Sequence, residues 1–388
     1  MPDTQQSTVG GLGAQPQVGD VSWLQGVRVV EVTTAVSAPL IGRVLGELGA
    51  EVIKVESRAK IDVNRARVPR PSDPEGFPAH EAFQLLHEAN AGKRSVTLNL
   101  KTDHGRELFL ELLGDADVFI ENFVPGWLDR LGLSIEGLRE RFPRLIIVSA
   151  SGYGQTGPLR TQRAYAPVMT ALAGVEGLIG YEDGEVMGCS SLALADLNCS
   201  FSGVHLVMSA LVGRQASDEG THIDLSQIEA ASILAGEAFV EHQLSGETPG
   251  PVGNSDPGGG RWSLIQDPET ETWTGARGSR NGAGPERPST GKILETLRHR
   301  GVEVAPILTP AQVAADENYL SRGFIQSVDH PLEAIGTLQV TSVPWRLEGT
   351  VPEVSAVAPC IGSANPEVLG RYVSEDQLAE LENEGALK

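Results

Sequence analysis

The sequence predicts an α/β protein whose large domain layers helices on a mostly parallel sheet. Short β-branched runs alternate with segments of helical spacing between residues 27 and 150. Glycines and small polar residues stand where those segments stop. Hydrophobic residues make up 40% of 388 residues, enough for a substantial core.

Residues 1–24 are rich in Gly, Gln, Ser and Thr without periodicity and are expected to be a disordered tail. Order is expected from about Leu24-Gln25-Gly26. Val27–Val32 (VRVVEV) is a strand bounded by Gly26 and Thr33-Thr34. Pro39–Leu48 is a helix, with Leu40, Val44, Leu45 and Leu48 at helical spacing and Gly49 at its stop. Val52–Val55 is the next strand, which makes a parallel pair with a right-handed crossover. Ser95–Leu98 is a strand. Thr102–Leu113 is a helix, with Thr102 or Asp103 as its N-cap. Val118–Ile120 (strand), Ile135–Arg141 (helix) and Leu145–Ala150 (strand) continue the alternation, the pattern of a Rossmann-like layer fold.

Ser202–Val212 (SGVHLVMSALV) is expected as a buried helix, Ile223–Leu225 as a short strand and Ile228–Phe239 as a long helix. From Thr248 to Thr290 the chain turns to Gly, Pro, Ser, Asn and Arg, the composition of a long functional or mobile loop. Order resumes by Ile293. Pro310–Leu320 is a helix, and an acidic helix begins at about Ser374. The expected organisation is a tail (1–24), a large domain (25–243), a reduced, loop-rich small domain (244–335) and a return to the large domain (336–388).

Formal net charge is −21, from 30 basic and 51 acidic residues. Such a surface repels nucleic acid and anionic lipid. A phosphate-bearing ligand would need basic groups gathered locally. No apolar stretch comes near the roughly 20 residues of a membrane span. The N-terminus lacks the pattern of a secretory signal, so a cytoplasmic protein is expected. Cys189, Cys199 and Cys360 are too scattered for a disulfide framework, and the eight histidines form no metal-binding spacing.

Gly152-Tyr153-Gly154-Gln155-Thr156-Gly157 spells GxGxxG after a strand. Pro158 and a polar run follow it rather than an amphipathic helix, so a turn is expected, not a dinucleotide site. Asp196, in SSLALADLNCSFSGVHLVMSALVGR, precedes the apolar helical run, and Arg214 stands at its end. By local sequence alone Asp196 fits as the cap of that helix.

Further segments extend the pattern. They are LQGVRVVEVT (24–33), LGELGAEVIKVES (45–57), NAGKRSVTLNLKTDHGRELF (90–109), DVFIENFVPGWLDRLGL (117–133), PRLIIVSASGYGQTGPL (143–159) and VHLVMSALVGRQASDEGTHIDLS (204–226). VAPILTPAQVAADENYLSRGF (304–324) and SVPWRL (342–347) join them. Together they resemble the class III CoA-transferase family, the superfamily of formyl-CoA transferase, carnitine CoA-transferase and methylacyl-CoA racemase.

The resemblance implies a Rossmann-like large domain with a small domain, in two subunits interlocked like chain links. It implies Asp196 as a carboxylate nucleophile that attacks an acyl-CoA thioester. It also implies coenzyme A as a substrate rather than a tightly bound cofactor. Arg58, Leu98, Lys101, Asn122, Phe123, Arg130, Arg163 and Tyr165 become its candidate contacts. Phe123 would lie against adenine, and Lys101, Arg130 and Arg163 would pair phosphates. Each basic residue fits equally as a solvated surface charge, and Asn122 as a turn residue.

Racemase-type members carry a histidine where this chain has Tyr165. A phenol, with an ordinary pKa of about 10, is a poor base at neutral pH, which favours transfer over racemisation. Cys199, Ser200 and His205 fit as helix and turn residues rather than as a second catalytic system.

The chain departs from the family twice. Val36 stands where transferases often carry a glutamine near the acyl carbonyl, leaving the backbone N–H groups of Val36 or Ser37 as candidate oxyanion donors. The small domain also looks shortened. Its Gly258-Gly259-Gly260 fits either a mobile lid or a linker, while Trp262 and Trp273 imply that the segment packs somewhere. Two other readings stay open: a racemase or isomerase on the same scaffold, against which Tyr165 argues, and a non-catalytic CoA-binding subunit of a heteromer, which these departures favour and the retained Asp196 opposes.

Overall fold

A computed structural model describes residues 17–66, 69–70, 72–188, 193–255, 260–268, 270–278 and 293–388. The chain divides into two compact units. The first holds residues up to 35 together with 42–118 and 314–388; the second holds 36–41 and 119–313. The boundaries expected near 243 and 335 fall inside the second and first units respectively.

The first unit opens on β1 (Gln17–Gly19), which pairs in parallel with Thr350–Pro352. This corrects part of the expected tail. Residues 17–19 gain backbone partners from the far end of the chain, and Leu24 is buried. The rest of the expected tail, 1–16, lies outside the described residues.

β2 (Arg28–Val32), α1 (Ser37–Glu47) and β3 (Glu51–Glu56) form the expected β-α-β unit, in register Arg28 to Glu51 and Val30 to Ile53. After α2 (Gln84–Asn90), β4 (Arg94–Thr97) pairs in parallel with β3. α3 (Asp103–Gly114) starts as expected at Thr102, whose hydroxyl accepts the Gly105 N–H at 3.1 Å.

The apolar strand pattern conceals a buried charge network. Lys54 on β3 is wholly buried, 3.1 Å from Asp62 and 3.7 Å from Glu31. Lys93 reaches Glu31 at 2.7 Å, and burial lowers its pKa to about 8. Arg65 is held by both Glu56 oxygens at 2.8 and 2.9 Å, by Glu81, and by the Pro359 carbonyl at 2.8 Å.

Asp62 also accepts the Ala35 N–H at 3.2 Å, while Asn64 donates to the Ala35 carbonyl at 2.6 Å. Ala35 has φ 65°, a left-handed conformation that costs a non-glycine residue on the order of 1–2 kcal/mol. The buried ion pairs therefore brace a strained turn, two residues before Ser37 in the chain.

β5 (Val118–Glu121) leads into the second unit. α4 (Ile135–Arg141), β6 (Ile146–Ser151), α5 (Ala166–Leu172), α6 (Leu194–Ser217) and β7 (His222–Ser226) follow. The strands stand in the order β5-β6-β7, with β6 and β7 parallel and Ile147 opposite His222.

α6 spans 24 residues, longer than the expected Ser202–Val212. On length and composition alone it is apolar enough to cross a membrane, which corrects the expectation that no stretch is. Ala195, Cys199, Gly203 and Val207 bury one face of it, while Phe201 and Val212 are exposed.

The expected helix 228–239 is two helices, α7 (Gln227–Ser232) and α8 (Gly236–Ser245). A 3₁₀ turn over Ile233–Ala235 separates them.

The expected loop 248–290 is corrected where it is described. β8 (Arg261–Gln266) and β9 (Trp273–Gly278) form an antiparallel hairpin. After α9 (Ile293–His299), β10 (Glu303–Ile307) adds to β9. Ile265, Ala276, Ile293 and Leu297 make a small core under this sheet. Trp262 is half-buried and lies against Gly275 of the neighbouring strand, its ring 3.9 Å from where a Cβ there would lie. Trp273 remains 43% exposed. Gly258 and Gly259 of the glycine triplet, expected as a lid or a linker, lie outside the described residues.

Pro310–Leu320 is also two helices, α10 (Pro310–Ala314) and α11 (Glu317–Ser321), because Asp316 caps the second one anew. The chain returns through the antiparallel pair β11 (Ile325–Asp329) and β12 (Thr337–Thr341), then β13 (Thr350–Pro352). α12 (Glu375–Asn383) closes it, with a capping box between Ser374 and Gln377.

Candidate active site

Because α6 begins at Leu194 with Ala193 as its N-cap, Asp196 lies in the first helical turn and is not the cap. Ala193 holds the N-cap position without a side-chain hydrogen bond, so the capping role that the local sequence allowed for Asp196 is not used. The Gln227 carboxamide donates to Asp196 Oδ1 at 2.6 Å, and the Ser37 hydroxyl also hydrogen-bonds the carboxylate. Burial nevertheless pushes the Asp196 carboxyl above the ordinary aspartate range, against the opposing effect of these two donors.

Three contacts hold this cluster. Ser200 Oγ lies 2.7 Å from both the Asp196 and Ser37 carbonyls, which ties α6 to the start of α1. Asn198 donates to the Ala230 carbonyl, tying α6 to α7. Gly203 lets α6 approach closely: a Cβ there would lie 2.4 Å from Ile41 Cδ1. Ser37 thus contributes a side-chain hydroxyl to the carboxylate, where sequence reasoning looked only to backbone N–H groups nearby.

The Cys199 thiol is buried beside this carboxylate, and burial together with the Asp196 charge pushes it up to about 12. It is inert as a nucleophile. His205 is exposed. Arg214, in the last turn of α6, donates to the Arg144 carbonyl at 3.0 Å.

The candidate ligand residues fall on both units. In the first, Arg58 is exposed and donates to the Ile361 carbonyl at 3.0 Å. Leu98 is buried and its N–H donates to the Glu56 carbonyl at 3.0 Å. Lys101 is exposed, and its N–H donates to the Asn99 side chain.

In the second, Asn122 and Phe123 follow β5, and Phe123 stacks on Trp127 with ring centroids 4.2 Å apart. The exposed Arg130 guanidinium lies over Gly126 in the same turn. Arg163 is exposed, and Tyr165, 73% exposed, stands at the N-cap of α5. Ala164 and Ala166, flanking Tyr165, pack in the same cluster as Ala195 and Ala231. The Tyr165 segment is thus brought to the Asp196 segment.

The GxGxxG stretch is a turn, as expected, with Gly154 and Gly157 at φ 80° and 82°. The Gly152 carbonyl accepts the Ile228 N–H at 3.0 Å, which docks this turn on the start of α7.

Glu121, at the end of β5, is a further buried acid that the sequence did not disclose. Its carboxylate accepts the Phe123 N–H at 2.8 Å and bonds the Ser149 hydroxyl, which lies 3.0 Å from His222 Nε2. Burial raises its pKa to about 7, well above the ordinary carboxylate range. A raised folded-state value contributes stability that is fully present below the unfolded pKa and is lost as pH rises through the folded one. Glu121→Gln should therefore match wild type in melting temperature near pH 5. At pH 8 it should exceed wild type by the equivalent of about 2–3 kcal/mol. A gap that does not widen between the two pH values contradicts this placement.

Against this geometry, comparison with known proteins gives a consistent class. A crystal structure of a CAIB/BAIF family protein from Brucella suis superposes with a TM-score of 0.77 at 26% identity, covering 91% of this chain and all of that one. The model of CoA-transferase family III matches residues 24–264 and 286–365, and the chain belongs to that family.

A succinate–glutarate CoA-transferase of Agrobacterium fabrum is 35% identical over 237 residues. That match covers 60% of this chain and only 58% of the relative's length. A formyl-CoA:oxalate CoA-transferase of Streptomyces coelicolor is 27% identical over 414 aligned positions, covering 92% of this chain and 96% of the relative.

Proposed function

We propose that this chain transfers coenzyme A from an acyl-CoA thioester to a free carboxylate, with Asp196 as the covalent nucleophile. The observation that carries this reading is the state of the Asp196 carboxylate. It is largely desolvated, held by two neutral donors, and paired with no cationic side chain among the described residues. Desolvation makes a carboxylate a better nucleophile, and neutral donors orient it without neutralising it.

Attack on the thioester carbonyl gives a mixed anhydride and CoA thiolate. The thiolate then adds to the aspartyl carbon, releases the first acid and leaves an aspartyl-CoA thioester. The acceptor carboxylate runs the sequence backwards. Members of the family named for succinate, glutarate, formate and oxalate support short acids as the class to test first.

The active form we propose is a dimer of this chain. Ile233 (72% exposed), Val240 (55%) and Leu244 (84%) line the α7–α8 segment, and Val212 (65%) stands on α6. Such apolar exposure on helices of one unit supports a self-association surface.

Purified chain, with a mass by light scattering that stays dimeric on dilution, should form new thioesters from acetyl-, propionyl- or succinyl-CoA and a panel of free acids. A stable monomer contradicts the dimer. Exchange that appears only when a second, related chain is added contradicts the reading of a self-sufficient enzyme.

A further inference from the structure

We infer that the Gln227 carboxamide is the oxyanion donor for the aspartyl carbonyl, a role that rests on the transfer mechanism proposed above. Gln227 is buried, and its Nε2 lies 2.6 Å from Asp196 Oδ1. The backbone on either side of it is fixed. Ser226 caps α7, Ile228 N–H is bonded to the Gly152 carbonyl, and Ala230 is bonded by Asn198 of α6. The donor is therefore in place before any substrate arrives, as electrostatic stabilisation requires.

The oxygen it serves bears charge twice in each turnover. Attack by Asp196 Oδ2 on the thioester carbon breaks the C–S bond and leaves Oδ1 as the carbonyl oxygen of the anhydride. When CoA thiolate adds to Cγ, the carbonyl electron pair moves onto Oδ1. Collapse then breaks the Cγ–Oδ2 bond, and the first acid leaves as its carboxylate. When the acceptor carboxylate adds to Cγ of the aspartyl thioester, the pair moves onto Oδ1 again, and its return expels CoA thiolate. No proton is gained or lost in either step, so a non-titrating amide suits the position. An amide one hydrogen bond from Oδ1 strengthens its contact as each negative charge develops.

The chain lacks the side-chain amide that transferases often place at the position of Val36. Gln227 supplies an amide to a different oxygen of the same reaction, on the enzyme's acyl group rather than the substrate's.

The test compares Gln227→Met and Gln227→Glu with wild type and Asp196→Asn in the exchange assay, each checked for wild-type-like circular dichroism. Gln227→Met should lower kcat by about 10²-fold, the scale of one oxyanion donor, with KM for the acyl-CoA changed by less than about threefold. Gln227→Glu keeps the shape but offers only acceptors at neutral pH. It should be impaired at pH 8 and regain activity as the pH falls and the introduced carboxyl gains a proton to donate.

A purely structural role would give no such inverted pH profile. Wild-type kcat in Gln227→Met, or a pH-independent loss in Gln227→Glu, overturns the inference while exchange still depends on Asp196. If wild type itself shows no Asp196-dependent exchange, the transfer mechanism fails, and this role fails with it.

Discussion

Asp196→Asn should lower CoA exchange by about 10³-fold or more, since no second nucleophile is poised to take its place among the described residues. Cys199 is buried beside the carboxylate, and its thiol is held protonated at neutral pH. The same variant should be more stable than wild type. Burial raises the Asp196 carboxyl above its unfolded value, so its contribution to stability is present below that value and lost as pH rises through the folded one. At neutral pH the ionised carboxylate is a cost of folding that a neutral amide removes. Asparagine can still accept from Gln227 through Oδ1.

A higher melting temperature at pH 7.5, with exchange gone, is the expected pair of results. Loss of activity with a large fall in melting temperature would instead mean that Asp196 is a structural residue.

The largest stability effect is expected at Arg65. Its guanidinium is wholly buried between Glu56 and Glu81, with the Pro359 carbonyl as a further acceptor. Arg65→Met fills much of the same volume but leaves two buried carboxylates without their cation. Removing one partner from such a cluster costs about 3–5 kcal/mol, far more than the cluster contributes when intact.

Urea unfolding of wild type and variant at pH 7.5 measures this directly. Adding Glu56→Gln and Glu81→Gln to Arg65→Met should restore most of the loss, because the stranded charges are then gone. A single variant within about 1 kcal/mol of wild type would mean that water or a rearranged neighbour compensates those carboxylates.

This network also shows what the sequence conceals. β2, α1 and β3 are legible because β-branched runs and one helical face repeat at periods that only those elements satisfy. Lys54 and Glu56 sit in the same β3 run and look like edge residues. Their burial is set by Glu31, Asp62, Arg65 and Ser95, which no local pattern links to them.

The site divides in the same way. Asp196 is visible from the motif around it, but Gln227 lies 31 residues later on another helix. The packing of Ala195 against Ala231 and Ala235, with the Asn198–Ala230 hydrogen bond, brings the two together. The β8–β9 hairpin is hidden for a different reason. Few of its residues are buried, so strands rich in Arg, Gly and Thr look like loop until β10 and α9 cover them.

The most direct test of the central claim is covalent. Wild-type protein incubated with an acyl-CoA and quenched with hydroxylamine is digested and its peptides are read by mass spectrometry. The mechanism predicts a hydroxamate on Asp196, at no other carboxylate, and absent when acyl-CoA is omitted. Exchange that proceeds with Asp196 unmodified, or a hydroxamate at another residue, would contradict it.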